Sequence, residues 1–467
     1  MRGILISALA TSVLASQDRR VSPTPQAVRP GVLVPRQICL AQPDQSYALY
    51  VPSHYAQDKR WPIVYAFDPA GRGNLPVELL KDAAERYGYI LLGSNNSRNG
   101  SWKMEAEAAQ AMNEDSHALL AIDDRRVYFA GFSGGARVAS EIAQRCNCAA
   151  GVILNGAGFS AGASPSRGAV FAVFAAVGDF DFNYPEVADL DEKLEQADFP
   201  HLFRPFEGSH EWAPAEVMDE ALAWFRLVAM KQNREPRDNG FVDTEKAKMV
   251  VRANVLEQSG NFYAAWREYR QAVATLDELI DTTSLRRAAG SLEQQKAVHD
   301  GAKREIREFQ EQDQLTREIF AGLAALRNAD PSRSDILSQT GQEIIDLRTR
   351  VASEKHQEKV RVFRRALTGI FVTAMEAGEE RLDAKDDAVA RDYFEFATDA
   401  EPDSVSALSS LARARAFVGD RKGTFDALRR AKENSKDVAT FAAWLKGEPA
   451  FAKLREDPKF RSLLTNP

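Results

Sequence analysis

The run Val127-Tyr128-Phe129-Ala130-Gly131-Phe132-Ser133-Gly134-Gly135 constrains this chain more than any other segment. A short apolar, β-rich stretch enters a Gly-x-Ser-x-Gly pentapeptide, and a helical pattern over Ala136–Arg145 follows at once. A strand that turns directly into a helix has no room for side chains beside the turning residue, and glycine meets that need. The pentapeptide alone is common. In this context it predicts a nucleophile elbow, with Ser133 held above a sheet edge at a helix N-terminus. The Gly134 N–H and the helix dipole are then placed to stabilise an oxyanion.

The flanking sequence supplies the sheet. Ser46–Val51, Pro62–Phe67, Tyr89–Leu92, Gly151–Leu154, Ala169–Val177 and His201–Pro205 read as further short strands. Helical stretches separate most of them, and a last helix is expected over Pro214–Met230. This alternation predicts an α/β fold, a mostly parallel sheet covered by helices on both faces. Sites in such folds gather at the carboxyl ends of strands.

A serine nucleophile needs a base, and the base needs an orienting acid. After Ala169–Val177 come Asp179 and Asp181, and both are candidates; Asp181 fits a Gly-x-x-Asp arrangement and is preferred. Of six His, His54 and His117 precede Ser133, and His299 and His356 lie in the later helical half. His201 begins its strand, at the wrong end of the sheet. His210 follows that strand and is the expected base.

A chain of 467 residues predicts two or three domains. Lys231–Gly240 is polar and reads as a linker between residues 38–231 and an all-α part at 241–467. Gly260, Phe262, Ala265, Tyr269 and Ala272 have the spacing of the second half of a tetratricopeptide repeat. Phe394 and Ala397 recur 34 residues on as Leu428 and Ala431. Residues 285–380 fall outside that register and read as long helices. Stacked repeats offer a concave surface for a protein partner.

The net charge of −7 argues against a nucleic-acid partner. No apolar run reaches the roughly 20 residues of a membrane span. Arg2, the apolar stretch Ile4–Ala15 and the polar Ser16-Gln17-Asp18 have the layout of a signal peptide over 1–15, hence export to periplasm or medium. A flexible lead-in is expected over 16–37. Cys39, Cys146 and Cys148 are read as buried free thiols, since one intervening residue is a strained spacing for a disulfide; a bridge from Cys39 to either of the others stays open.

With these residues in place, 38–230 resembles an α/β-hydrolase of the polyhydroxybutyrate depolymerase and feruloyl esterase group. The resemblance rests on Gly131–Gly135, on Gly178-Asp179-Phe180-Asp181, and on Gly208-Ser209-His210-Glu211-Trp212 with Pro214. It implies hydrolysis of a small or polymeric carboxylic ester through an acyl-enzyme, with no metal or organic cofactor. Where the group often carries His-Gly-x-x, this chain has Asp68-Pro69-Ala70-Gly71. Pro69 has no N–H, so Ala70 is the expected second oxyanion donor beside Gly134. Trp102 and Trp212 are candidates for lining the substrate pocket. A serine peptidase or amidase on the same fold stays open, as does an inactive hydrolase-fold interaction protein that uses its helical repeats.

Overall fold

The computed structural model describes residues 28–160, 170–326 and 333–464. The expected signal peptide and residues 16–27 of the lead-in lie outside them. The first part is an eight-stranded sheet. Its strands are β1 (Val34–Ile38), β2 (Ser46–Tyr50), β3 (Trp61–Phe67), β4 (Ile90–Ser94), β5 (Ile122–Phe132), β6 (Ala149–Asn155), β7 (Ala172–Gly178) and β8 (His201–Phe206). β1 begins inside the stretch expected to be lead-in, because its backbone pairs with β2. The spatial order is β1-β2-β4-β3-β5-β6-β7-β8. β2 is antiparallel to both its neighbours, and the pairs from β4 through β8 are parallel. That order and direction, with the elbow after β5, is the α/β-hydrolase fold.

Strand periodicity divides the core. Ile63, Tyr65 and Phe67 point to one face, against Met112, Ala136, Ala139, Val187 and Leu194. Val64 and Ala66 point to the other, against Val77, Leu80, Met218, Leu222 and Phe225. The first face is covered by α2 (Trp102–Leu119), α3 (Gly134–Cys146) and α4 (Tyr184–Gln196), once α1 (Asn74–Tyr87) has crossed to the second. α5 (Ala215–Lys231) lies beside α1. Every residue of β3, β6 and β7 is buried, as two-sided covering requires.

Among the described residues, the remainder is helical. It comprises α6 (Asn239–Gln258), α7 (Phe262–Leu276), α8 (Thr283–Glu293), α9 (Lys296–Ala325), α10 (Arg333–Ser353) and α11 (Gln357–Asp383). It continues through α12 (Asp387–Ala400), α13 (Val405–Phe417), α14 (Arg421–Asn434), α15 (Val438–Gly447) and α16 (Pro458–Leu464). α9 and α11 run 30 and 27 residues, the long helices outside the repeat register. Ala265, Tyr269 and Ala272 are buried on α7, as are Phe394 and Ala397 on α12 and Leu428 and Ala431 on α14.

The two parts share a core and charges. Leu227 and Met230 of α5 pack with Val242, Met249 and Ala265. Arg204 on β8 and Arg252 on α6 both bond Glu220 and Glu268. Arg267 on α7 reaches Asp191 on α4 at 2.6 Å. α9 and α11 return to the carboxyl edge of the sheet, where Phe309 meets Tyr184 and Gly369 meets Phe182.

The thiol expectation fails for two of three cysteines. Cys146 and Cys148 form a disulfide at the end of α3, where Asn147 takes a left-handed conformation (φ 50°) that closes the short loop. Cys39 is free and buried; burial, with Asp115 and Asp44 nearby, pushes its thiol up to about 12.

Candidate active site

The elbow is built by sterics. Ser133 has φ 52° and ψ −120°, a conformation side chains rarely adopt. A Cβ on Gly131 would lie 2.0 Å from the Gly135 carbonyl oxygen, and one on Gly135 would lie 2.0 Å from that of Phe67. Both glycines therefore let the turn close. The Ser133 N–H donates to the Asn155 carbonyl at 2.9 Å, which ties the elbow to the end of β6. Gly134 opens α3, so its N–H has no partner within the helix. Gly135→Ala is expected to destabilise the fold by about 1–3 kcal/mol or more, since the obstacle is backbone. Thermal denaturation checks this, and an unchanged midpoint refutes it.

Register brings the other groups to the same edge. Phe67 pairs with Gly131, Phe132 with Asn155, and Gly178 with Phe206. The residues just past these strands, including Ser133, Asp181 and His210, therefore meet. His210 Nε2 lies 2.9 Å from Ser133 Oγ. His210 Nδ1 lies 3.0 Å from both carboxylate oxygens of Asp181. The imidazole also rests against Phe132 and Phe182, with ring centres 4.7 and 4.5 Å away.

Asp181 is fully buried, and Asn183 N–H donates to its Oδ1 at 2.8 Å. Burial pushes its carboxyl up. The bond and charge of His210, the Asn183 N–H and the Arg365 charge oppose that without cancelling it. Asp179 faces elsewhere and accepts the Gly208 N–H at 3.1 Å, bracing the loop that leads to His210. His201 sits at the opposite end of β8, bonded to the Phe199 carbonyl and to Asp191.

Two expectations change in space and a third keeps its place. The Ala70 N–H donates to Asp68 Oδ1 at 2.9 Å, so it is engaged in its own turn rather than free in the cleft. Asp68 is fully buried and also receives the Arg72 guanidinium. Burial raises the Asp68 carboxyl, and bonds from Arg72, Trp212 and Ala70 outweigh it and hold it below the usual range. Trp212 is not a pocket wall. It is buried, and its indole N–H donates to Asp68 Oδ2 at 2.9 Å, pinning the loop two residues past His210. Trp102 does face the cleft, 39% exposed, with the Arg145 guanidinium 5.2 Å above its ring.

Two residues gained importance that no motif announced. Asn155 is fully buried at the end of β6. Its amide donates to the Glu211 carbonyl and accepts the Ala213 N–H, so one side chain clasps both sides of Trp212 while its own carbonyl holds Ser133. Arg365 comes from α11, 2% exposed, and its Nε donates to the Asp179 carbonyl at 2.6 Å. Its guanidinium lies 3.9 Å over the Tyr184 ring and 3.6 Å from Glu308. Gln312 on α9 donates to the Phe182 carbonyl. The loop carrying Asp181 is thus gripped by the helical part.

Arg365→Met keeps most of the apolar stem and leaves the Asp179 carbonyl without its donor, at a cost of about 1–3 kcal/mol. It also removes a cation that holds the Asp181 carboxyl down. The acid limb of any hydrolytic rate profile should therefore move to higher pH. A rate profile paired with a thermal melt tests both, and an unmoved acid limb rejects the electrostatic part.

Ser133 opens onto a cleft of about 440 Å³, also lined by Asn99, Trp102, Arg137, Phe182 and Glu376. A serine hydroxyl, an imidazole within hydrogen-bond distance of it, a buried carboxylate behind the imidazole and a helix N-terminus beside the hydroxyl form an arrangement that suits acyl transfer chemically.

No family model matches this chain, and no curated protein matches it either. Among solved structures, a fluorophosphonate-binding serine hydrolase of Staphylococcus aureus shares 14% identity, covering 39% of this chain and 92% of its own, with a TM-score of 0.33. The S-formylglutathione hydrolase of the same organism shares 13% over 43% of this chain and 99% of its own, with a TM-score of 0.35. A ferulic acid esterase shares 17% over 41% of this chain and 93% of its own, with a TM-score of 0.32.

Proposed function

We propose that this chain is a serine hydrolase that cleaves carboxylic esters through an acyl-enzyme. The observation that carries the reading is the unbroken series from Ser133 Oγ to His210 Nε2 (2.9 Å) and from His210 Nδ1 to Asp181 (3.0 Å) on a strained elbow. In this reading His210 takes the Ser133 proton as Oγ attacks the ester carbonyl. Asp181 holds the imidazole in the tautomer that leaves Nε2 unprotonated, and it stabilises the imidazolium once formed. The tetrahedral oxyanion is met by the Gly134 N–H and the N-terminus of α3. Collapse expels the alcohol, protonated by His210. Water, deprotonated by His210, then attacks the acyl-Ser133 carbonyl, and a second collapse returns the acid and free serine.

The same geometry supports an active enzyme over an inactive hydrolase-fold platform. The helical part belongs to the site in this reading, because α9 and α11 hold the loop of the acid. We further propose that its helix pairs derive from tetratricopeptide-like units and that the chain is exported on its first 15 residues. Recovery of processed protein outside the cytoplasm tests the export.

The decisive experiment is fluorophosphonate labelling of the purified protein, with intact mass and peptide mapping, beside turnover of short-chain, aryl and hydroxycinnamoyl esters. One adduct on the Ser133 peptide together with ester turnover is expected. A folded protein that takes up no adduct overturns the proposal.

A further inference from the structure

The cleft at Ser133 has a wall that the hydrolase part does not provide. Val372, Thr373 and Glu376 of α11 line it, on positions that share one helix face. Glu376 Oε1 accepts from the side-chain amide of Asn99 at 3.1 Å. Asn99 in turn lies against the elbow, so close that a Cβ on Gly134 would meet its Oδ1 at 1.9 Å. Glu376 is therefore one side chain away from the residue beside Ser133.

The other ionisable groups of the cleft have partners within the protein. Arg137 is bonded through both terminal nitrogens to Glu186. Glu141 pairs with Arg145. Glu105 is buried and accepts from the Ser97 hydroxyl and the Arg98 N–H. Glu376 has Asn99 and, among the described residues, no Lys or Arg within ion-pair distance. Glu376 stays exposed to the solvent of the cleft; the packing around it still nudges its carboxyl up, and the His210 and Arg137 charges and the Asn99 bond offset this only in part. A carboxylate that lines a cleft without a cation of its own is free to pair with one that a ligand brings.

We propose that Glu376 is a specificity-determining residue that binds an ammonium or guanidinium group of the substrate, so that the enzyme prefers cationic esters. This rests on the ester-hydrolase reading. The helical part then supplies both the clasp on the acid loop and the group that selects the substrate.

The test compares two matched series. Aryl esters whose acyl chains end in ammonium, methyl or carboxylate (aminohexanoyl, heptanoyl, adipoyl) place the charge on the acyl side. 6-Aminohexyl butyrate and its carbon isostere heptyl butyrate place it on the alcohol side. A charged hydrogen bond of ordinary strength predicts a preference of about tenfold or more in kcat/KM for the cationic member of one series. Glu376→Gln should bring that ratio close to unity. Glu380→Gln, one turn further along α11 and outside the cleft lining, removes the same charge and should keep the ratio.

Three results overturn the inference while leaving the hydrolase reading intact. One is a wild-type enzyme indifferent to charge. Another is a preference that survives Glu376→Gln. The third is a variant that loses every substrate in equal proportion, which assigns Glu376 to holding Asn99 and α11 in place. A protein that forms no fluorophosphonate adduct and turns over none of the esters overturns both readings.

Discussion

Ser133→Ala is expected to lower ester turnover about a million-fold and to abolish the fluorophosphonate adduct. Loss of a serine nucleophile has an effect of that order where the remaining machinery works only through it. The fold should be spared. Alanine tolerates the left-handed φ of 52° about as poorly as serine, so the strain at the elbow is nearly the same in both proteins. The backbone bond from residue 133 to the Asn155 carbonyl is also independent of the side chain. Thermal melts of the two proteins should coincide while their rates diverge. Retention of the adduct by the variant would move the nucleophile to another residue and sink the mechanism.

The second large effect separates two carboxylates in neighbouring positions. Asp181→Asn is expected to reduce kcat by about four orders of magnitude. An amide facing Nδ1 presents N–H or a neutral oxygen, and the Asn183 N–H already occupies one oxygen at 2.8 Å. The variant thus loses the group that fixes the tautomer and stabilises the imidazolium. Asp179→Asn should cost less than about tenfold, since an amide oxygen can still accept the Gly208 N–H and the Arg365 bond is made to the backbone carbonyl. Steady-state rates on one aryl ester, with melting curves for both variants, decide the matter. Equal losses would mean that the loop as a whole, and not the Asp181 contact with His210, is what turnover needs.

Much of the first part could be read locally. A strand of period two, a turn that only small residues permit and a helix of period 3.6 are each specified by adjacent residues, so β5, Ser133 and α3 were legible together. Chain order and strand ends then pointed to Asp181 and His210, which the sheet register does bring beside Ser133. Ala70 was not legible in the same way. Nothing in the local sequence marks its N–H as taken, yet the carboxylate two residues before it accepts that bond. Trp212 followed the motif correctly in position but not in use. An indole beside a histidine can line a pocket or fasten a loop, and the choice was made by Asp68, 144 residues away in sequence.

The residues that tertiary structure alone assigned share one property. Asn155, Arg365 and Glu376 act on groups far off in the chain, from places with no motif of their own. Asn155 sits at the end of an ordinary apolar strand, and only the β5–β6 register sets it beside the elbow and the His210 loop. Arg365 and Glu376 are two charged residues among many on a long helix, and amphipathic spacing marks no difference between them and their solvated neighbours. They are distinguished by the packing of α11 on the carboxyl edge of the sheet, which buries one against Asp179 and turns the other toward Ser133. The sequence by itself determined the elements, the sheet and the elbow, because local sterics and hydrophobic periodicity are properties of neighbouring residues. The closure of the cleft, the engagement of Ala70 and Trp212 and the reach of α11 into the site were decided only by the tertiary structure, because each depends on which distant surfaces bury one another.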